Sequence, residues 1–167
     1  MNARETGSAD QNVSEALRWI IDAFARLDAQ YQVVGGLAAR AYGATRPLID
    51  LDFYVRSVDL PRVLASVADA CVWGPEHFKD ENWDVTFAKL EKHGVQIELA
   101  QAEGARYYSR DAARWMDQDV AFDDSQLRSV LGTETCVMPK NQLVAYKRAL
   151  NRPVDRLDLQ EMATEMA

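Results

Sequence analysis

The stretch Val34-Gly35-Gly36-Leu37-Ala38-Ala39-Arg40-Ala41-Tyr42-Gly43-Ala44-Thr45-Arg46-Pro47-Leu48-Ile49-Asp50-Leu51-Asp52-Phe53-Tyr54-Val55 decides the fold. It predicts a strand ending in two glycines, a short helix over Leu37 to Tyr42, and a second strand carrying Asp50 and Asp52. Side chains two apart on a strand point the same way, so these carboxylates form a local anionic site. Gly-Gly lets the backbone approach a ligand closely, and the first amides of the following helix suit phosphate. Together they predict a polyphosphate held by Gly35 and Gly36, with magnesium on Asp50 and Asp52, since magnesium is usually bound through one or two carboxylates plus substrate phosphates. Taken alone, the Gly-Gly step reads equally as a plain turn. Asp-Leu-Asp within the apolar run Ile49 to Val55 is harder to explain away, because carboxylates seldom sit in a core strand without a partner.

Residues 84 to 100 predict two strands joined by a turn around Glu91 to Gly94. On the second strand Gln96, Glu98 and Ala100 share one face, and Val95, Ile97 and Leu99 the other. Glu98 is thus a third acid, able to bind a second metal or accept a proton from an attacking hydroxyl. By itself it also reads as an ordinary solvent-facing strand residue.

Gly35-Gly36, thirteen intervening residues, Asp50-Leu51-Asp52-Phe53 and Ile97-Glu98-Leu99 resemble the motif set of the nucleotidyltransferase superfamily, the DNA polymerase beta-like fold. The similarity is greatest to small single-domain members: lincosamide-type antibiotic nucleotidyltransferases, abortive-infection-type toxins and minimal members of unassigned role. It extends to Val137-Met138-Pro139-Lys140-Asn141-Gln142-Leu143-Val144-Ala145-Tyr146-Lys147, which resembles the family's strand, proline and lysine-bearing helix, and to the basic and acidic tail Arg152 to Leu159.

The resemblance implies an α/β fold, a mixed β-sheet flanked by helices with a C-terminal helical element. It implies metal-dependent transfer of a nucleoside monophosphate from a nucleoside triphosphate to a hydroxyl acceptor, which is an antibiotic-like small molecule, an RNA end or a protein side chain. Asp50, Asp52 and Glu98 are the expected catalytic and metal-binding residues, for two magnesium ions with manganese as the alternative. Gly35, Gly36, Arg40, Thr45, Arg46 and Lys147 are the expected nucleotide-binding residues. The small size leaves little room for an acceptor domain, so a homodimer or a partner chain would complete the pocket, and an antitoxin is a further expected partner. Three departures stand out. Leu48 occupies a position that is often Ser or Thr, Gly36 one that is often Ser, and Glu98 one that is often Asp. Leu48 favours an alternative, a catalytically weak nucleotide-binding or toxin-antitoxin interaction module; retention of all three acids disfavours it.

The chain of 167 residues, 48% of them hydrophobic, predicts a single domain over 1–167, with a flexible start over 1–11 and helices over 139–166. No apolar run approaches the roughly 20 residues of a bilayer span, and Met1 to Asp10 does not resemble a signal peptide. The expectation is a cytoplasmic protein with no membrane association. Cys71 and Cys136 read as buried free thiols. A net charge of −7 disfavours general nucleic-acid binding. The balance is uneven: Lys140, Lys147, Arg148, Arg152 and Arg156 form a basic segment, and Asp117, Asp119, Asp123 and Asp124 an acidic block. The first could face a triphosphate or RNA and the second a cationic acceptor, or both could be solvated faces.

The remaining segments predict scaffold. Asn12 or Ser14 is the expected cap of a helix over Glu15 to Ala29, and a further helix is expected over Leu60 to Ala70. A polar loop is expected from Gly74-Pro75 to Asn82, and a helix over 105–116 bearing Tyr107, Tyr108, Trp115 and Met116. His77 and His93 lack metal-ligand spacing.

Overall fold

The computed structural model describes residues 3–164, and residues 1, 2 and 165–167 lie outside that range. Helix α1 (Ala3–Leu27) is followed by β1 (Tyr31–Val34), α2 (Gly35–Ala41), β2 (Asp50–Val55) and α3 (Leu60–Ser66). Strands β3 (Cys71–Lys79), β4 (Trp83–Lys92), β5 (Val95–Gln101), β6 (Arg106–Ser109), β7 (Arg114–Asp117), β8 (Gln126–Val130) and β9 (Thr133–Val137) come next. Helices α4 (Lys140–Leu150) and α5 (Pro153–Thr164) close the described chain. The strands form one mixed sheet in the order β7-β6-β4-β5-β2-β1-β9-β8, with β3 also paired to β4. This is the α/β architecture the motifs imply. Among the described residues no helix is long and apolar enough to cross a membrane.

The alternation on β2 divides the molecule into two faces. Leu51, Phe53 and Val55 are buried, and Phe53 meets Phe24 of α1 edge-on at 5.5 Å. Leu17, Ile20 and Phe24, one stripe of α1, are fully buried against this side of the sheet. Burying each such side chain is worth about 1.5–3 kcal/mol. Asp50, Asp52 and Tyr54 therefore point to the opposite side, where α4 and α5 lie beside a cavity.

Several segments differ from expectation. Helix α1 begins at Ala3, within the segment expected to be flexible and ahead of the predicted Glu15 start. Ser14 is no cap: its hydroxyl donates to the Leu131 carbonyl at 2.9 Å, tying α1 to the β8–β9 turn. The expected helix over Leu60 to Ala70 is α3 followed by a separate turn of 3-10 helix at Ala68–Ala70. The polar loop predicted after Gly74-Pro75 is the greater part of β3. Its residues from Glu76 to Lys79 are exposed, as an edge strand allows, and a proline is tolerated there because its missing N–H costs no inner ladder bond. The predicted helix over 105–116 is the β6–β7 hairpin. Ser109 Oγ accepts the Ala112 N–H, and Ala113 takes a φ of 52°, so the chain reverses where the aromatic spacing alone favoured a helix. Cys71 and Cys136 are free thiols, half-buried and not enclosed.

Asp59 locks the turn between β2 and α3. Its buried carboxylate accepts the Gln30 N–H at 3.1 Å, Arg56 Nε at 3.0 Å and Arg62 Nη2 at 2.5 Å. Burial alone would raise its pKa, but the bonds from Arg62, Gln30 and Arg56 outweigh it and hold the group below the usual carboxylate range. Stability from a lowered carboxylate pKa is present above the unfolded value and lost as pH falls through the folded one. Asp59→Asn is expected to cost about 2–3 kcal/mol at neutral pH, with the gap to wild type closing under acid. Urea unfolding at a series of pH values checks this.

Candidate active site

The sheet register assembles the three acids. Val34 pairs with Asp52 across the antiparallel β1–β2 ladder, and Asp52 pairs with Glu98 across the parallel β2–β5 ladder. Asp50 lies on the same face of β2 and pairs with Gln96. Gly35, at the end of β1, consequently stands directly over Asp52. Its φ is +63°, and a Cβ built there would run into Asp52 Oδ2. Only glycine satisfies both demands. At Gly36 an added Cβ would meet the Arg46 guanidinium at 2.6 Å and Leu48 Cδ2 at 3.3 Å. Arg46 and Leu48 thus fill the space that a serine at position 36 would need, so two of the departures from the family pattern belong together. Helix α2 starts at Gly35 itself, ahead of the predicted Leu37.

Gly35→Ala is expected to lower stability by about 1–3 kcal/mol, from the left-handed backbone and the collision with Asp52. Gly36→Ala should cost much less, because the obstructing atom is the far end of a long side chain. Melting temperatures of the two variants check this order.

The carboxylates repel one another. Burial, then Asp50 and Glu98, push the Asp52 pKa well above the ordinary aspartate value, and Lys147 and Arg152 offset this only in part. Asp50 is raised by burial against the pull of Arg46 and Arg152. Glu98 is raised by burial and Asp50, although Gln96 Nε2 donates to its Oε1 at 2.8 Å and Lys89 Nζ stands 3.8 Å away. Among the described residues, neither Asp50 nor Asp52 has a side-chain salt bridge or a hydrogen bond from another side chain. No group of three or more His, Cys, Asp or Glu side chains among them is arranged to enclose a metal ion by itself. A donor set of unpaired, mutually repelling carboxylates nonetheless fits a hard divalent cation whose remaining ligands come from phosphate and water.

A cavity of about 760 Å³ opens over these acids. Of the residues expected from sequence, Gly35, Gly36, Arg46, Asp50, Asp52, Glu98 and Lys147 line it. Arg40 and Thr45 do not. Arg40 Nη2 donates to the Arg46 carbonyl at 2.6 Å and so shapes the loop before β2, while the Thr45 N–H donates to Glu161 of α5 at 2.6 Å. Lys147 lines the cavity but is engaged: its Nζ lies 2.7 Å from Asp158 and 3.5 Å from Asp155. Arg46 also pairs with Asp158, at 2.6 Å, and Arg152 with Asp155 at 2.7 Å. Within the basic segment Lys147 and Arg152 are thus paired with the acids of α5, while Lys140 donates to the Met162 carbonyl and Arg156 to the Asn151 carbonyl. In the acidic block, Asp117 and Asp119 line a separate cavity with residues 102–105, away from the three carboxylates.

Sequence reasoning missed Tyr146, Trp83 and Arg152 as parts of this site. Trp83 Nε1 donates to the Tyr146 hydroxyl at 2.7 Å, and the Arg152 guanidinium lies 4.5 Å from the centroid of the Trp83 ring. Burial raises the Tyr146 pKa to about 12, so its hydroxyl stays protonated. Tyr146, next to Lys147 in the quoted helix motif, and Arg152, within the basic segment, carried a signal in the sequence; Trp83, one residue ahead of the strand expected from Asp84, carried none.

No family model matches the chain, and no curated protein matches it by sequence. Solved structures do. A candidate nucleotidyltransferase from Thermotoga maritima superposes with a TM-score of 0.69 at 16% identity, over 90% of this chain and 92% of that one. The lincosamide antibiotic adenylyltransferase LnuA, in its lincomycin-bound crystal structure, gives 0.61 at 12% identity, over 90% and 96%. ANT(2″)-Ia, in complex with adenylyl-2″-tobramycin, gives 0.59 at 12% identity, over 92% and 89%. The chain has the small single-domain fold of the nucleotidyltransferases.

Proposed function

We propose that this protein transfers a nucleoside monophosphate from a nucleoside triphosphate to a hydroxyl acceptor. The observation that carries the proposal is the row formed by Gly35, Asp52 and Glu98 across β1, β2 and β5, with Asp50 beside it, facing one cavity. The structural likeness to LnuA, a lincosamide antibiotic adenylyltransferase, and to ANT(2″)-Ia, an antibiotic-resistance factor solved with adenylyl-2″-tobramycin, supports the reading.

Asp50 and Asp52 would hold magnesium, with Glu98 completing the set; the metal supplies charge stabilisation for an in-line displacement at phosphorus. Gly35 and Gly36 let the backbone lie against the triphosphate. The Arg46 guanidinium, at the cavity wall beside Gly36, is placed to offset its charge. The acceptor oxygen forms a bond to the α-phosphorus, the bond from that phosphorus to pyrophosphate breaks, and the acceptor proton passes to the Glu98 carboxylate. The remaining work is positioning.

The test is calorimetric titration of ATP, GTP, CTP and UTP with magnesium into wild type and an Asp50→Ala, Asp52→Ala double variant. Metal-dependent binding that the variant loses supports the donor site and names the donor. Equal binding in both proteins removes the acids from the site and the proposal with them.

A further inference from the structure

We infer, building on the nucleotidyl-transfer reading, that the acceptor is an uncharged hydroxyl compound with a flat apolar body, seated on an aromatic wall made by β3 and β4. The strand pairing supplies the direction. Gly35 and Gly36 lie on the β1 side of Asp52, so a triphosphate held there leaves the other side of the acids open. On that side the register continues from Glu98 to Lys89 and from Lys89 to Trp73. The neighbouring row runs from Tyr54 to Ala100 and Phe87. One face of the sheet therefore passes without a break from carboxylates to aromatic rings.

Trp73, Phe78, Val85 and Phe87 line this end of the cavity. The Trp73 and Phe87 rings are 4.8 Å apart and tilted by 49°, and Phe78 meets Phe87 at 5.7 Å and 85°. Phe78 remains 38% exposed, a large apolar ring left open at the cavity. Ala100, the small residue between Tyr54 and Phe87, leaves room above the sheet. Such a wall favours a planar apolar group by stacking and edge contacts. The volume of about 760 Å³ lies in the upper part of the range of roughly 300–1,000 Å³ for small-molecule sites, which suits a second molecule beside a nucleotide.

Charge argues against a polycationic sugar. Lys89 stands within the wall, its Nζ 6.0 Å from the Trp73 ring centroid and 5.6 Å from that of Phe87. A polycation would meet this ammonium group and would compete with the metal for Asp50, Asp52 and Glu98. Asp117 and Asp119 line the other cavity, and Asp80, the one acid besides the three carboxylates that lines this one, already accepts the Asn82 and Trp83 backbone N–H groups.

The experiment titrates naphthyl glucoside and tobramycin into the full chain with magnesium and the donor triphosphate, reading tryptophan fluorescence and transfer of label from the triphosphate. Naphthyl glucoside is expected to quench fluorescence and accept label, and tobramycin to do neither. Trp73→Ala and Phe78→Ala should each weaken glucoside binding by about tenfold while leaving magnesium-triphosphate affinity within about twofold. Phe78, half-open to solvent, provides the variant that keeps its fold if Trp73→Ala does not. Binding of tobramycin as tight as the glucoside, no glucoside binding, or unchanged glucoside affinity in the folded variants would overturn the inference. So would loss of triphosphate affinity in Phe78→Ala, which would give the wall to the nucleobase. If wild type binds no triphosphate, the parent reading fails instead, and glucoside quenching still reads the wall on its own.

Discussion

Asp52→Asn is expected to abolish nucleotidyl transfer, by roughly 10³-fold or more, and at the same time to give a protein that melts at a higher temperature than wild type in metal-free buffer. The two effects share one cause. Asp52 lies between Asp50 and Glu98 at the cavity floor, and burial together with those two charges raises its pKa well above the ordinary value. The folded protein therefore holds the Asp52 proton more tightly than the unfolded chain does. Between the unfolded pKa, about 4, and the raised folded value, the native state binds more protons, so stability falls as pH rises through that window. Asparagine removes this penalty at neutral pH. Magnesium with a triphosphate should raise the melting temperature of wild type and leave Asp52→Asn unmoved, since ligand stabilisation requires binding to the native state. Scanning calorimetry with and without magnesium, beside a label-transfer assay, measures all three quantities. A variant that melts below wild type in metal-free buffer would mean that Asp52 is a paired structural carboxylate and not a vacant donor.

The strands that carry these acids were legible in the sequence because their two faces meet different surroundings. Leu51, Phe53 and Val55 alternate with Asp50, Asp52 and Tyr54, and Val95, Ile97 and Leu99 with Gln96 and Glu98, so period two is written plainly. Strand β3 was not legible, because an edge strand exposed from Glu76 to Lys79 has no such contrast to display. The β6–β7 hairpin was misread because Tyr107 and Tyr108, though adjacent, each find aromatic partners: Tyr107 meets Tyr146, and Tyr108 meets Trp115. That density of aromatics mimics a helix face. The glycines and acids of the site were found from local spacing. Trp83 and Tyr146 were not, and Arg152 only as one of a basic segment, since it is the packing of α4 and the turn after it against the start of β4 that brings the three together at the cavity.

Lys147→Met is expected to destabilise the protein by about 3–5 kcal/mol, a larger effect than loss of a phosphate contact would produce. Sequence placed Lys147 as a reach toward the triphosphate, but the structure surrounds its ammonium group with Asp158 at 2.7 Å and Asp155 at 3.5 Å. Lysine and both aspartates are almost wholly buried. Without Lys147, Asp158 keeps only Arg46 and Asp155 only Arg152 as ion-pair partners among the described residues. Two carboxylates then share a dry site beside the already crowded Asp52, whose pKa Lys147 helps to lower. Lys147→Arg should not restore the protein, because a planar guanidinium cannot take the place of a compact ammonium in a closed pocket. Adding Asp158→Asn to Lys147→Met should recover part of the loss, giving a coupling energy of about 1–3 kcal/mol in a double-mutant cycle. Because Asp158 also fixes Arg46 beside Gly36, Asp158→Asn alone should weaken triphosphate binding while costing less stability than Lys147→Met. Chemical unfolding of the three variants, paired with nucleotide titration, separates the roles. Normal stability with weakened nucleotide binding in Lys147→Met would return this lysine to the triphosphate and leave α5 held by Arg46 and Arg152.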